Sequence, residues 1–381
     1  MLTQSEMLDE FPLDQGLIYL NHAAVAPWPK RTANAVSRFA QENVTLGSLR
    51  YPQWLETEAA LREQLRELIN ADSVREIALL KNTSEALSVV AFGIDWQPGD
   101  NVVTSRQEFP SNRIVWEALG QRFGVEVRLA DLDQYSIPEE ALLDQCDKST
   151  RLVSVSSIQY GNGMRMDLAR IGKHCRSKGI RFCVDAIQSL GAVCFDVQTI
   201  HADFVMADGH KWMLGPEGVA LLYCASPNID QLRLNQYGWH MVKHKNEFER
   251  MDWSPAEDAQ RFECGSPNSL GIHALHASLS LLQEHGIEAV SERISANVAQ
   301  IEAGIRELGC ECLTPREPQR RGGIITFRIP AKDNQGIFRS LQQSGIFCAY
   351  RAGGIRFSPH FYTPPAAIER ALDRLAQIIQ D

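Results

Sequence analysis

From about residue 70 to residue 225, short apolar runs alternate with stretches whose apolar positions recur at helical spacing. Ile77-Ala78-Leu79-Leu80 predicts a short buried strand. Ser84 to Phe92 predicts a helix, with Thr83 or Ser84 near its N-terminus. Asn101-Val102-Val103-Thr104 follows the turn Pro98-Gly99-Asp100 and predicts a second strand. Leu152 to Ile158 predicts a third. Asp167 to Lys178 reads as a helix, and Gly179 suits its C-cap. Arg181 to Val184 is a strand that ends at Asp185. Asp203 to Ala207 is another, followed by Gly209-His210-Lys211, and Val219 to Tyr223 returns as a further strand. This β–α alternation predicts a mostly parallel sheet covered by helices. Ligands of such sheets sit beyond the carboxyl ends of the strands. Asp185 and Lys211 both fall just past strand ends.

The remainder reads differently. Residues 226–262 are polar and irregular, as a connection crossing the surface or an active-site mouth would be. Ser269 to Gly309 is strongly helical. Gly323 to Ile329 and Ile355 to Ser358 predict strands, and Pro365 to Gln380 a terminal helix. Together these predict a small α+β C-terminal domain. No internal repeat or low-complexity tract interrupts the chain.

Composition narrows the function. A chain of 381 residues is too long for one small core and suits two domains. The net charge of −9 gives no electrostatic footprint for nucleic acid or an anionic membrane. Acidic residues Glu6, Asp9, Glu10 and Asp14 occupy the start, where a signal peptide would be basic and then apolar. No apolar run reaches membrane-spanning length. Nine cysteines lack CxxC or zinc-like spacing, so no metal site is expected, and reduced thiols in a cytoplasmic setting are.

Four features together carry chemistry. An acid, Asp185, closes the apolar strand Phe182-Cys183-Val184. Lys211 follows the next strand, 26 residues later. Thr83-Ser84 precedes a helix, and Arg356 lies in the strand-like Gly354-Ile355-Arg356-Phe357-Ser358. Singly these are a surface lysine, a turn acid, an N-cap and a strand arginine. As a set they meet the demands of pyridoxal 5'-phosphate (PLP). That cofactor needs a lysine amine, an acid facing its pyridine nitrogen, a helix N-terminus for its phosphate and an arginine for the substrate carboxylate.

The order of motifs resembles the class V aminotransferase family, which includes the cysteine desulfurases. The resemblance runs from Tyr19-Leu20-Asn21-His22-Ala23-Ala24 through Asn82-Thr83-Ser84-Glu85-Ala86 and Glu108-Phe109-Pro110-Ser111-Asn112. It continues through Val184-Asp185-Ala186-Ile187-Gln188, Asp208-Gly209-His210-Lys211 and Gly215-Pro216-Glu217-Gly218. Phe262-Glu263-Cys264-Gly265-Ser266-Pro267-Asn268 and Arg356 complete it.

The resemblance implies an aspartate-aminotransferase-like α/β fold. A large PLP domain over 16–262 would hold a mostly parallel seven-stranded sheet. A small α+β domain would cover 263–381, joined by segment 1–15. Lys211 resembles the Schiff-base lysine and proton carrier, and Asp185 the partner of the pyridine nitrogen. Gln188 resembles a donor to the cofactor's phenolic oxygen, and Thr83, Ser84 and His210 resemble phosphate ligands. Ser266 resembles a residue reaching a neighbouring subunit's phosphate, which implies a homodimer with shared sites. Arg356 resembles the clamp on the carboxylate of a small amino-acid substrate. Asn21 and His22 resemble the loop lining that pocket.

The chain also departs from the family pattern. Desulfurases stack a histidine on the cofactor, and Phe109 stands there instead. It can stack but cannot exchange a proton. The loop carrying their nucleophilic cysteine is missing before Arg356, and Cys348 reads as a small core residue. Asp208 stands where serine is frequent, so it must face away from phosphate or be offset by a cation. Tyr160 stands near the place of an asparagine, either meeting the phenolic oxygen or packing. His240 and His244 read as solvated, and Arg351 as a helper of Arg356 or a surface ion pair. The expected activity is a desulfurase-like lyase that cleaves C–S by Cα deprotonation and β-elimination without an enzyme thiol. The alternatives are an aminotransferase or epimerase on a small amino acid, or a non-catalytic PLP-fold binding protein.

Overall fold

The computed structural model describes residues 4–380. Met1 to Thr3 of the expected 1–15 segment, and Asp381, lie outside the described residues. Helix α1 (Gln4–Glu10), strand β1 (Ile18–Tyr19) and helices α2 (Lys30–Leu46) and α3 (Tyr51–Leu68) open the chain. Then come β2 (Ile77–Leu80), α4 (Thr83–Gly93), β3 (Asn101–Ser105), α5 (Ser111–Phe123) and β4 (Glu126–Ala130). They are followed by α6 (Pro138–Leu143), β5 (Thr150–Ser156), α7 (Leu168–Lys178), β6 (Arg181–Asp185), β7 (Phe204–Asp208) and β8 (Ala220–Cys224). Past α8 (Ser226–Ile229) the chain is irregular to α9 (Ser269–His285) and α10 (Ile287–Glu307). The small domain adds β9 (Glu311–Cys312), β10 (Ile325–Arg328), α11 (Asn334–Gln343), β11 (Ile346–Phe347), β12 (Ala349–Arg351), β13 (Gly354–Phe357) and α12 (Pro365–Gln380).

Local chemistry explains the boundaries. Asn82 caps α4 by accepting from Glu85 N at 2.9 Å, which leaves Thr83 and Ser84 as its first helical residues. Asp167 caps α7, and Gly179 ends it with φ 67°, as the sequence predicts. The helical stretch after Ser269 splits in two at Gly286, whose φ of 77° breaks the helical path. Helices α2 and α3 precede the alternating region. Each buries one stripe at helical spacing, Thr32 and Ala35 on α2 and Glu58, Leu61, Arg62 and Leu65 on α3.

Seven strands form the central sheet in the order β2-β8-β7-β6-β5-β3-β4. β8 alone runs antiparallel to its neighbours β2 and β7, and the pairs from β7 to β4 are parallel. β3, β7 and β8 are buried along their whole length, because helices cover both faces. The expected seven-stranded, mostly parallel sheet is therefore present. A second sheet, β12-β13-β10-β9, is antiparallel.

Pairing moves the expected domain boundaries. β1 pairs in parallel with β11, and Asn21 bridges Ser358, so the chain joins the small domain past residue 15. At the other boundary, α9 packs on α2 and α3, and an added Cβ at Gly209 or Gly215 would meet its Leu275. It thus belongs with the large domain. The reason is that a two-residue strand and an interdomain helix take their allegiance from partners distant in sequence.

One buried ion network ties the site's outer loop to the sheet. Arg62 on α3 bonds Glu58 at 2.6 Å and both oxygens of Glu263 at 2.6 and 2.7 Å. Glu263 also accepts from Leu79 N of β2 at 2.8 Å. His240, expected in solvent, is buried here with Nδ1 3.7 Å from Glu263, and Lys245 approaches its Nε2 at 3.1 Å. This is a correction, and its cause is the charge network that the 236–262 loop folds over. His244 stays half-exposed, beside Glu247. Arg62→Met strands two buried carboxylates and should cost about 3–5 kcal/mol. The measurement is the urea unfolding midpoint, and an unmoved midpoint would show that the network adds no stability.

Candidate active site

The carboxyl ends of β3, β5, β6 and β7 open onto a cavity of about 460 Å³. Lys211 reaches it from the turn after β7. Several backbone bonds fix that turn: Gly209 N to Val219 O at 3.0 Å, Leu214 N to Lys211 O at 3.0 Å and Ala26 N to His210 O at 2.8 Å. Leu214 takes φ 60°, a left-handed conformation that a branched residue holds only under surrounding constraint. Gly191 has φ 91° and lets its backbone lie against Trp212 O, where a Cβ would stand 2.2 Å away. Trp212 Nε1 in turn donates to Gln188 Oε1 at 2.8 Å, coupling the lysine turn to the segment after β6.

Lys211 is only 8% exposed. Burial pulls its amine down to a pKa of about 8, against the pull of Asp185. Asp185 is pushed up to about 7 by burial, while a 3.0 Å bond from Ile187 N resists. Phe109 sets its ring 5.5 Å from the Lys211 Nζ and edge-on to Tyr160 at 5.1 Å. Glu108 holds Phe109 in place from below. It is buried and accepts from Ser105 Oγ, Asn112 Nδ2, Ser156 N and Gln159 Nε2 at 2.9–3.1 Å.

At one end of the cavity lies the N-terminus of α4. Thr83 Oγ1 accepts from Asp208 N at 3.1 Å, and Ser84 Oγ donates to Ser111 Oγ at 2.9 Å. His210 Nδ1 and Asp208 Oδ1 face each other at 3.1 Å, so the group set against Asp208 is an imidazole. Neither atom has a hydrogen-bond partner, and both are buried. At the other end Arg356 is buried. Its Nη1 donates to Tyr160 O at 2.8 Å, and its Nε is unpartnered.

Lys211, Asp185, Thr83, Ser84, Phe109, Gln188, His210 and Arg356 all line this one cavity. Ser266 lies outside it, where Trp239 Nε1 donates to its hydroxyl at 3.3 Å. His22 and Asn21 also lie outside. His22 is fully buried, with Nδ1 on Ser358 O at 2.8 Å and Nε2 on the Tyr362 hydroxyl at 2.7 Å. Burial pulls its pKa down to about 4. Expected as a pocket residue, it is a strut behind the wall, because both ring nitrogens are spent on the small domain. Asn21, expected beside it, is buried at its bridge to Ser358. The wall that this loop provides is Ala23 and Ala24. Reading the sequence assigned no role to Glu108 or Trp212. Glu108 stood in the sequence as an acid just past a buried strand, within the motif Glu108–Asn112.

These donors suit PLP on structural grounds. An amine and a carboxylate, both buried, share one cavity, an aromatic ring flanks them, and a helix N-terminus with the hydroxyls of Thr83 and Ser84 supplies anion-binding groups. Gln188 Nε2 bonds Ala23 O at 3.0 Å and keeps a second hydrogen. Comparison with known proteins agrees. The family described as Aminotransferase class-V matches residues 18–361. A probable cysteine desulfurase of Methanothermobacter thermautotrophicus is 31% identical, covering 97% of this chain and 96% of its own. One from Pyrococcus abyssi is 27% identical over 100% and 98%. Among solved structures, the cystine C–S lyase C-DES with its product cysteine persulfide is 26% identical, with TM-score 0.88 over 96% and 99%. A C-DES variant with glycine covalently linked to its PLP is 25% identical, with TM-score 0.89 over 97% and 98%. The fold and site are those of a PLP-dependent enzyme. The chain belongs to the class V aminotransferase family.

Two outcomes follow. Lys211→Ala should lose the visible absorbance of covalently held cofactor, and an unchanged spectrum would remove Lys211 from that role. In cofactor-free protein, Lys211 is protonated below about pH 8 and free above it. Covalent capture of added PLP should therefore speed up as pH rises through that value. A stopped-flow rate that is flat across it would contradict the assignment.

Proposed function

We propose that this enzyme is a desulfurase-like lyase that breaks the C–S bond of a cysteine-type amino acid by β-elimination, without an enzyme thiol. The observation carrying this reading is the absence of cysteine from the residues lining the Lys211 cavity. Cys348, the cysteine nearest Arg356 in the chain, is buried, and burial pushes its thiol up to about 12. A protonated core thiol cannot attack sulfur.

PLP supplies the electron sink that lets the Cα–H and then the Cβ–S bond break. The chain supplies the rest. Arg356, itself lowered to about 10 by burial and by the charge of Arg351, holds the substrate carboxylate. Lys211, its amine drawn down to about 8 by burial, takes the Cα proton. Phe109 flanks the site with no proton to give. The departing sulfur must then leave as an anion, which favours a persulfide leaving from a disulfide over a simple thiolate. A disulfide amino acid plus water balances to pyruvate, ammonia and a persulfide.

Two features support a homodimer with shared sites. Ser266 stands outside its own chain's cavity, and the nearby loop exposes Tyr237, Trp239, Phe248, Met251 and Trp253. A loop that exposes several large apolar side chains together suits a surface covered by another chain. Nine free thiols support a reducing, cytoplasmic setting. The net charge of −9 supports neither nucleic acid nor membrane as partner, and no described helix is long and apolar enough to cross a membrane.

The test is a product assay on purified holoenzyme with cysteine, cystine and other amino acids. Pyruvate with sulfide or persulfide, the cofactor still PLP, is the expected result. Release of a keto acid with conversion to pyridoxamine phosphate would make the enzyme an aminotransferase instead. Cys348→Ser should retain turnover, and an inactive but folded variant would restore an enzyme thiol to the mechanism.

A further inference from the structure

At the α4 end of the cavity a carboxylate stands among groups gathered for an anion. Asp208 closes β7 and is 5% exposed. Its backbone N donates to Thr83 Oγ1 at 3.1 Å, so it sits against the first residue of α4. A helix N-terminus attracts anions, and a negative charge fixed beside it repels them. Neither the proton transfer nor the carboxylate binding proposed above uses this acid.

Its surroundings restrict what it can do. Asp208 Oδ1 and His210 Nδ1 are buried face to face at 3.1 Å, and neither has another hydrogen-bond partner. Leaving both unmade is unfavourable, and a small turn of the ring makes the bond. An ionised carboxylate only accepts, so Nδ1 carries a proton. The other charged groups lining the cavity are Lys211, Asp185, Glu217, Arg351 and Arg356. Among the described residues, none of them forms an ion pair with Asp208 or His210.

The consequence falls on the ring's other nitrogen. His210 lines the cavity together with Thr83 and Ser84. With one proton, held at Nδ1, its Nε2 is a bare acceptor. Phosphate oxygens are acceptors too, so a neutral ring held this way offers that anion no donor. A second proton turns Nε2 into a charged donor, and the carboxylate behind Nδ1 favours that form.

We propose that Asp208 is a positioning residue that makes His210 a donor: with the carboxylate behind it, the ring meets the cofactor's phosphate as an imidazolium. Asp208 thereby tightens the hold on phosphate although it carries phosphate's own sign. A hydroxyl at this position could bond a phosphate but could not hold charge on the ring. The inference concerns the cofactor's phosphate alone and is independent of which substrate bond the enzyme breaks.

The test uses pyridoxine 5'-phosphate, which has the cofactor's phosphate but no aldehyde for Lys211 to capture. Its dissociation constant is measured by calorimetry on the full chain freed of cofactor. Asp208→Asn should weaken binding about tenfold, as the loss of one charge-assisted contact would. In a His210→Gln background, which has no ring to charge, the same substitution should instead tighten binding, because only like-charge repulsion is left to remove. Nitrogen NMR of holoenzyme labelled on its histidine rings gives a second readout. The His210 signal, assigned by its loss in His210→Gln, should show protons on both nitrogens near neutral pH in wild type and on one in Asp208→Asn. Tighter binding by Asp208→Asn alone, an undiminished loss in the His210→Gln background, or a singly protonated His210 in wild type overturns the proposal. The wild-type signal decides even where a substituted chain fails to fold.

Discussion

Lys211 keeps its amine out of water in the same cavity as the Asp185 carboxylate, and much of the structure exists to make that tolerable. A buried amine and a buried acid each resist ionisation, and each is the other's compensation. Their pKa values approach one another, the amine drawn down to about 8 and the acid pushed up to about 7. That closeness makes the amine available for covalent and proton chemistry near neutrality. It also requires rigid supports, since a small movement toward water would restore ordinary values.

The supports come from three directions. The parallel strands deliver Asp185 and the Lys211 turn side by side, because β6 and β7 are neighbours in register. Trp212 and Gln188 join those two turns through a buried hydrogen bond. The small domain closes the cavity with Arg356, while His22, Ser358 and Tyr362 lock the N-terminal strand beneath it. His22 illustrates a general point about motif residues. Its place in the chain suggested contact with substrate, yet its chemistry is spent on holding two domains together.

Charge is arranged along the cavity by function. The α4 N-terminus and His210 form an anion-binding end, with Asp208 behind the imidazole. Arg356 forms the other. Phe109 between them contributes a surface without a proton. The closed β12–β13 hairpin removes the space for a thiol-bearing loop and, by the same turn, brings Arg351 to the mouth.

The large-domain sheet and the chemical inventory were legible in the order of residues. Buried strands such as Phe204–Asp208 are apolar runs bounded by polar turns, Lys211 and Asp185 stood out as charges placed where strands end, and Arg356 as a charge inside a short apolar strand. Those signals are local, so they survive without coordinates. Tertiary structure alone decided the rest. It put β1 with the small domain and α9 with the large, buried His240 over Arg62 and Glu263, and withdrew His22 from the cavity. It also turned Arg351 onto the face of Arg356. Apart from that short hairpin, each of these depends on pairing between residues far apart in the chain, and pairing across such distances leaves no periodic trace in either segment alone.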